Sequence, residues 1–227
     1  MSNKHIICFL GIDGSGKSTL SLYLNEKLEK RHIDVSHTWW LEGENSLVRR
    51  CIRKIFKNNA SDYKINLSSF NNHETKPSLR SKLFKIAYPN IVILDYLRFG
   101  ITKTFLWRFS RNDKILIFDR YFYDVIMALA SEFNLPKMKI SIICNIFKCL
   151  IPEPDVIFFI DVPPEVAYTR KMDEIPSLND SKMMRNDYTK LLSTLKKSDS
   201  KIFIVENTKE LEHVKCEIAE IVFKLLE

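Results

Sequence analysis

Glycine is scarce in this chain, and most of it is concentrated in one short segment. Three of the five glycines, Gly11, Gly14 and Gly16, lie within six positions near the amino terminus. Lys17 and Ser18 follow directly, so the segment fits the pattern GxxxxGK[ST]. In this pattern glycine lets the backbone turn tightly and approach a phosphate, while backbone N–H groups and the start of the next helix face the phosphate oxygens. The segment therefore predicts a phosphate-binding loop.

The residues on both sides of this loop have the patterns of a buried strand and an amphipathic helix. An apolar run, Ile6–Leu10, ends at Gly11, and apolar side chains then recur at helical spacing at Leu20, Leu24 and Leu28. Four more short segments rich in β-branched or aromatic residues follow, separated by helical patterns: Ile33–Trp40, Ile115–Phe118, Val156–Ile160 and Ile202–Val205. Alternating strands and helices predict an α/β fold with a doubly wound, parallel, five-stranded sheet flanked by helices.

The residue types in the loop indicate which parts of ATP they contact. Lys17 is expected to reach the β- and γ-phosphates, Ser18 to ligate Mg²⁺, and Thr19 to contact the α-phosphate or cap the helix. A second carboxylate for the metal site is expected at the end of a neighbouring strand, and Asp119 follows Ile115–Phe118 there. The predicted ATP-binding residues are Gly11, Asp13, Gly14, Ser15, Gly16, Lys17, Ser18 and Thr19. The sequence therefore predicts ATP as a ligand and Mg²⁺ at Ser18 and Asp119.

The remaining segments suggest one domain spanning residues 1–227, since no linker or repeat is visible. Apolar residues keep helical spacing from Ser78 to Phe109, and Pro89 is expected either to start a second helix there or to kink one. Residues 57–76 are rich in Asn, Ser and Lys, a composition typical of a mobile surface insertion. Residues 138–151 are expected to form a buried helix, and Thr208 is expected to cap the last helix.

The charge balance limits the kinds of partner. Lys and Arg total 35 against 28 Asp and Glu, which gives a formal net charge of +7. The excess suits nucleotides, nucleic acid or anionic lipid, and equally a solvated lysine-rich surface, because the basic residues are scattered. The chain shows no basic stripe or recognition motif, which argues against nucleic acid as the main partner.

The cysteines and the apolar runs bear on the cellular compartment. Five cysteines form an odd set with no CxxC pair, so a disulfide framework or a zinc site is not expected. A reducing interior fits that pattern. The apolar run near the amino terminus has only five residues, too few for a secretory core or a membrane span. We therefore expect a cytoplasmic protein with no membrane association.

A kinase for a small molecule is the reaction class that best fits the chain. The Asn-Lys-x-Asp base reader of a GTPase is absent, and a motor or AAA-type ATPase needs more chain for additional modules. Four segments, in order along nearly the whole chain, resemble thymidylate kinase and its relatives: Leu10–Thr19, Phe118–Tyr121, Pro154–Arg170 and Ile202–Thr208. The resemblance implies a P-loop fold of the nucleotide kinase type with a short lid, and transfer of the γ-phosphoryl group of ATP to dTMP to give dTDP.

The resemblance also implies roles for individual residues. Asp13 would accept a hydrogen bond from the sugar hydroxyl of the acceptor, and Arg120 would clamp the acceptor monophosphate with its planar guanidinium group. Tyr121, which follows Arg120, belongs to the implied acceptor-binding residues. Asp119 would organise Mg²⁺ and water or orient the attacking phosphate. The implied catalytic residues are Lys17, Asp119, Arg120 and Arg170.

One departure from the family concerns the charge on the transferring phosphoryl group, which is usually neutralised by an arginine. Relatives of one type carry that arginine inside the P-loop, where this chain has Gly14, and relatives of the other type carry it in the lid. The lid at about residues 171–185 and its approach are therefore expected to supply the cation. The candidates are Arg170, Lys171, Lys182 and Arg185, of which Arg170 matches the family position.

Other departures concern the acceptor. Relatives have an aromatic residue followed four positions later by arginine, and the matching pair here is Leu94 and Arg98, which offers no aromatic stacking. An acceptor-phosphate arginine expected after the second strand is missing, and the nearest arginines are Arg49 and Arg50. Asp124 stands where a serine is usual. Its carboxylate would repel a nearby monophosphate or would bind hydroxyl or amine groups.

Two other hypotheses therefore stay open. The same fold can phosphorylate another nucleoside monophosphate, a nucleoside or a non-nucleotide metabolite. From a different class comes a nucleotide-binding regulatory protein with weak chemistry.

The apolar pattern from Ser78 to Phe109 exceeds what one face of a small sheet needs, and relatives pair through such helices, so we expect a homodimer.

Overall fold

A computed structural model describes residues 4–39, 79–110, 114–132, 135–173, 175, 177–195, 200–208 and 210–226. The insertion expected at residues 57–76 lies outside the described residues, as do Arg49 and Arg50. No helix in the described part of the chain is long and apolar enough to cross a membrane.

Five strands form one parallel sheet. They are β1 (His5–Leu10), β2 (Val35–Trp39), β3 (Ile115–Asp119), β4 (Val156–Asp161) and β5 (Lys201–Glu206). Their order across the sheet is β2-β3-β1-β4-β5, and every neighbouring pair is parallel. The predicted α/β fold with a parallel five-stranded sheet is confirmed.

Helices fill most of the remaining described chain. They are α1 (Lys17–Glu29), α2 (Leu79–Phe109), α3 (Phe122–Glu132), α4 (Lys137–Leu150), α5 (Pro164–Arg170), α6 (Leu178–Leu195) and α7 (Leu211–Leu226). The helix α2 continues through Pro89, so the alternative of two separate helices is wrong.

Two local predictions about helices are also wrong. Thr208 does not cap α7, because the helix begins at Leu211, and the Thr208 hydroxyl donates to Glu206 instead. The helix α4 is buried on one face only. Its side chains Ile143 and Phe147 are buried, whereas those of Met138, Ile142, Ile146 and Leu150 are exposed at a spacing of four.

The core beside the central strands is built from alternate residues of strands and from helix residues about four positions apart. Alternate residues of β1, such as Ile7 and Phe9, share a buried cluster with Leu20, Leu24 and Leu28 of α1. Residues of α7 at a spacing of four complete it: Val214, Ile218 and Val222. Because α1 starts directly after the loop, packing of its leucines against the sheet fixes where the loop begins and ends.

The chain divides into two compact units. The first comprises residues 1–40, 104–121 and 152–227 and contains the whole sheet. The second comprises residues 41–103 and 122–151 and contains α3, α4 and most of α2. The prediction of one domain spanning residues 1–227 stays a prediction.

The sheet topology places the loop where the strand order reverses. β1 pairs with β3 on one side and with β4 on the other, so the loop after β1 lies at the carboxyl ends of three adjacent strands. Ligands of open α/β sheets bind in the crevice at such a point. The register sets Asp119 beside Phe9, two positions before Gly11, and so brings the candidate metal carboxylate to the loop.

Candidate active site

The loop between β1 and α1 has backbone angles that glycine adopts far more readily than other residues. The φ angles of Gly11, Gly14 and Gly16 are +148°, +81° and +92°. A Cβ atom at Gly11 would lie 2.5 Å from the carbonyl oxygen of Ile160, and one at Gly16 would lie 2.6 Å from Nδ2 of Asn207. The concentration of glycine in the sequence therefore has two causes, positive φ angles and close neighbours.

Gly14 lies against the helix α5. A Cβ atom at this position would collide with the carbonyl oxygen of Ala167. An arginine at Gly14 would need both a strained φ angle and a displacement of α5. This packing supports the expectation that a cation for the transferring phosphoryl group comes from outside the loop.

Lys17, the first residue of α1, folds back over the loop. Its side chain is 4% exposed, and Nζ donates to the carbonyl oxygens of Gly11 at 2.6 Å and Ile12 at 2.7 Å. Phosphate oxygens accept the same hydrogen bonds and carry more negative charge, so Lys17 can exchange its acceptors when a nucleotide binds. Ser18 and Thr19 follow on the exposed side of the first turn.

Asp13 and Arg120 form an ion pair between the loop and the end of β3. Nη2 of Arg120 donates to Oδ1 of Asp13, and Nζ of Lys17 lies 3.9 Å from the same oxygen. Burial alone would raise the pKa of Asp13, but the charges of Arg120, Lys17 and Lys171 outweigh it and lower the pKa below its ordinary 3.8. The carboxylate is therefore ionised at neutral pH and holds the guanidinium group at the loop.

The backbone at Arg120 is itself unusual. Its φ angle is +71°, which is uncommon for a residue other than glycine, and its N–H donates to the carbonyl oxygen of Phe9 at 3.2 Å. Such a conformation costs free energy and persists only where surrounding contacts enforce it. Here the bond to β1 turns the chain sharply after β3 and directs the Arg120 side chain to Asp13.

Asp119 has the properties that a metal-site carboxylate needs. It is buried at the end of β3, and its Oδ1 has no hydrogen-bond partner among the described residues. An unsatisfied buried oxygen is costly unless a further ligand meets it. The residues described contain no cluster of three His, Cys, Asp or Glu side chains suited to a metal. A site of Asp119 and Ser18 completed by phosphate oxygens fits Mg²⁺, which needs few protein ligands.

Three of the four candidate cations of the lid region have different partners, and the charge of the fourth, Lys171, helps to lower the pKa of Asp13. Arg170 donates to the carbonyl oxygens of Gly14 at 3.4 Å and Asn207 at 3.2 Å, so it lies at the loop. Arg185 forms a two-bond pair with Asp161, at 2.9 and 2.8 Å, and these bonds raise its pKa. Lys182 pairs with a surface glutamate at 3.3 Å. The Arg170 side chain is therefore bonded directly to the P-loop.

The predicted acceptor residues of the second unit lie on α2. Leu94 is 64% exposed, and Arg98, one turn later, pairs with the buried carboxylate of Asp95 at 3.5 Å. Asp124 is buried in the first turn of α3. The base contacts expected from Leu94 and Arg98 stay predictions.

Tyr121, in the first unit, takes a core position. Its ring is fully buried and packs edge-on against Phe118 at 5.0 Å. Its hydroxyl donates to the carbonyl oxygen of Pro152. The side chain thus helps to anchor the turn that carries Arg120, and a direct contact with an acceptor stays a prediction.

Sequence reasoning missed Asn207 and Asp161 as parts of this site. Asn207 follows β5 and donates from Nδ2 to the carbonyl oxygen of Ser15 at 2.7 Å. Asp161 ends β4 and holds Arg185. Both are polar residues at the carboxyl ends of strands close to β1: Asp161 ends β4, the neighbour of β1, and Asn207 follows β5, the next strand. That position is the signal that could have identified them.

Comparisons with known proteins agree with this geometry. The family model described as thymidylate kinase matches residues 102–218, just over half of the chain. The thymidylate kinase of Plasmodium falciparum is 29% identical over 172 residues, which cover 72% of this chain and 64% of that protein. The probable thymidylate kinase of Sulfolobus acidocaldarius is 27% identical, with 97% of this chain and 97% of that protein covered. The thymidylate kinase of Thermosipho africanus is 28% identical, with 97% of this chain and 98% of that protein covered.

The family match and the loop support each other, because they rest on different parts of the chain. The matched residues include Asp119, Arg120 and Arg170, whereas the glycine-rich loop lies before them. In the structure Arg120 and Arg170 both bond to that loop. The resemblance inferred from the four sequence segments is confirmed: this chain belongs to the thymidylate kinase family and is a kinase, a phosphotransferase.

Proposed function

We propose that this protein transfers the γ-phosphoryl group of ATP to dTMP and so forms dTDP and ADP. The observation that carries the proposal is the Asp13–Arg120 ion pair at the P-loop. It holds a guanidinium group, which can bond two phosphate oxygens at once, beside the loop that would bind ATP, where an acceptor monophosphate must arrive for transfer. The names of the relatives support dTMP as that acceptor.

The proposed reaction needs little covalent chemistry from the protein. A phosphate oxygen of dTMP forms a bond to the γ-phosphorus, while the bond from that phosphorus to the β,γ-bridging oxygen breaks and ADP leaves. Lys17 would bind the β- and γ-phosphates, and Arg120 would align the acceptor. Arg170 would add positive charge at the transferring group. Positioning and charge neutralisation are the main contributions in such reactions.

Mg²⁺ would be held by Ser18 and Asp119 together with phosphate oxygens. When bound, it would neutralise charge on the β- and γ-phosphates. The buried Oδ1 of Asp119, without a hydrogen-bond partner among the described residues, supports this assignment.

Transfer to a panel of acceptors tests the proposed substrate. The full-length protein with ATP and Mg²⁺ is expected to phosphorylate dTMP with a kcat/KM about tenfold or more above that for dUMP, since one methyl group in an apolar pocket is worth about that much. Other deoxynucleoside monophosphates and thymidine complete the panel, and ADP release measures turnover.

Each other result of the panel points to one alternative. Equal or faster turnover of another acceptor would contradict the proposal and favour a kinase of the same fold with a different substrate. Tight ATP binding without transfer to any acceptor would favour a regulatory nucleotide-binding protein.

We also infer a homodimer that forms through α2. Several large apolar side chains of this helix are exposed: Ile101, Phe105, Leu106 and Phe109. Sedimentation equilibrium at micromolar concentration is expected to give twice the chain mass of 26.7 kDa. A mass equal to that of one chain would contradict this inference.

A cytoplasmic location completes the proposal. Of the described cysteines, Cys144, Cys149 and Cys216 are free thiols, which suits a reducing compartment.

A further inference from the structure

Asn207 joins three separate parts of the active site. Its side-chain Nδ2 donates to the carbonyl oxygen of Ser15 at 2.7 Å. Its backbone N–H donates to the carbonyl oxygen of Asp161 at 2.9 Å, and its own carbonyl oxygen accepts from Nη2 of Arg170 at 3.2 Å. Asn207 therefore contacts the P-loop, the end of β4 and the last residue of α5.

The side chain of Asn207 occupies the space that Gly16 leaves. A Cβ atom at Gly16 would lie 2.6 Å from Nδ2 of Asn207, so the amide group fits against the bare backbone of the loop. Asn207 is 3% exposed, and Ser15 is fully buried. Because water does not replace a bond at this depth easily, the carbonyl oxygen of Ser15 depends on Asn207 for its hydrogen bond.

The bond to Ser15 bears on how the loop meets a phosphate. A P-loop binds phosphate with successive backbone N–H groups, which must all point to one side. The bond from Asn207 holds the carbonyl oxygen of Ser15 pointing away from that side, toward the end of β5. It therefore restricts rotation of the peptide units around Ser15 and Gly16. Loop order present before binding lowers the entropic cost of binding.

We propose that Asn207 is a positioning residue for the nucleotide. Its amide group keeps the P-loop in the phosphate-binding conformation, and its backbone carbonyl keeps Arg170 at the same loop. The role in transfer rests on the proposed function, whereas the role in nucleotide binding does not.

Two variants separate the hydrogen bond from packing and from charge. Asn207→Asp keeps the shape of the side chain but replaces the N–H donor by an oxygen that repels the carbonyl oxygen of Ser15. Asn207→Ala removes the donor without adding charge. Thr208→Ala is the matched control, because Thr208 is the next residue, is exposed and bonds only to Glu206 among the described contacts of its hydroxyl.

Calorimetric binding of ADP with Mg²⁺ gives the first measurement. Both Asn207 variants are expected to bind ADP about tenfold or more weakly than the wild-type protein, and Thr208→Ala is expected to bind ADP as tightly as the wild type. In turnover with a saturating acceptor, the KM for ATP is expected to rise by a similar factor while the KM for the acceptor stays within twofold. A residue that only stabilises the fold would change both KM values together with the midpoint of urea unfolding.

Several results would overturn this proposal. One is ADP binding by Asn207→Ala equal to that of the unchanged protein, even if Asn207→Asp is weak, because added charge would then explain the loss. Another is a rise in the KM values for both substrates together with a loss of folding stability. If the protein turns over no dTMP, ADP binding still decides the role of Asn207, so failure of the proposed substrate and failure of this inference give different results.

Discussion

Replacement of Lys17 by methionine is expected to lower kcat/KM for phosphoryl transfer by about a hundredfold to a thousandfold. Removal of one preorganised group that stabilises developing charge costs about this much in other enzymes. The side chain of Lys17 is almost fully buried and ends at the carbonyl oxygens of the loop. Lys17 bonds to both of these oxygens at once, so a neighbouring cation would have to rearrange to take its place.

The substitution also affects the loop itself, and the experiment must separate the two effects. Without the ammonium group, the carbonyl oxygens of Gly11 and Ile12 lose their donor, and Asp13 loses one of the charges that lower its pKa. Methionine keeps most of the buried volume of lysine, which limits the loss of folding stability. Urea unfolding measures that loss, and kcat/KM measures the loss of transfer.

A matched control lies at the other end of the same helix. Lys30, the C-cap of α1, is exposed, and Lys30→Met is expected to leave both turnover and unfolding nearly unchanged. A regulatory nucleotide-binding protein would instead keep its partner interaction after Lys17→Met. Transfer by Lys17→Met within tenfold of the unchanged protein would contradict the assigned role of this lysine.

The parts of the fold that could be predicted are those encoded by neighbours in sequence. The strand Ile6–Leu10, the glycine loop and the helix with Leu20, Leu24 and Leu28 each follow from a pattern within a few turns of chain. Register then placed Asp119 at the loop without further information, because parallel strands end at the same edge. Order along the chain was enough for these elements.

Contacts between distant residues could not be predicted in the same way. Asp13 and Arg120 are 107 positions apart, and Ser15 and Asn207 are 192 apart. Which polar residue at a strand end reaches the loop depends on the packing of α5 and on the space left by Gly14 and Gly16. That space arises from packing between distant segments, so no repeating pattern of residues in the sequence reveals it.

The errors at helices have a related cause. Apolar residues of 138–151 occur on more than one face, so the pattern alone predicts burial all round, yet only the face with Ile143 and Phe147 is covered. Thr208 has a side chain suited to capping, but its hydroxyl bonds to Glu206 and α7 starts at Leu211. Competing partners for a polar side chain decide such cases.

Replacement of Arg120 by lysine is expected to lower kcat/KM for the acceptor by about tenfold to a hundredfold or more, mainly through a higher KM for the acceptor. A planar guanidinium group bonds two phosphate oxygens at once, whereas an ammonium group acts as a point charge. Hydrogen bonds to charged groups are worth enough to account for this factor. The KM for ATP is expected to change little, because Lys17 and the loop amides would carry that contact.

The lysine variant isolates geometry from charge and from backbone strain. Lysine and arginine are both unbranched at Cβ, so the φ angle of +71° costs each about the same. A cation stays near Asp13, which keeps the pKa of that carboxyl low. Arg108→Lys, at an exposed position in the last turn of α2, controls for the exchange itself.

The partner variant Asp13→Asn tests whether the ion pair positions Arg120 for the acceptor. If Asp13 holds the guanidinium group at the loop, Asp13→Asn is expected to raise the acceptor KM as well, and the double variant with Arg120→Lys is expected to lose less than the product of the single losses. Independent losses that multiply would mean that Asp13 acts on the acceptor without Arg120. An unchanged acceptor KM in Arg120→Lys would contradict this prediction, because that variant keeps the positive charge and removes the planar two-bond geometry.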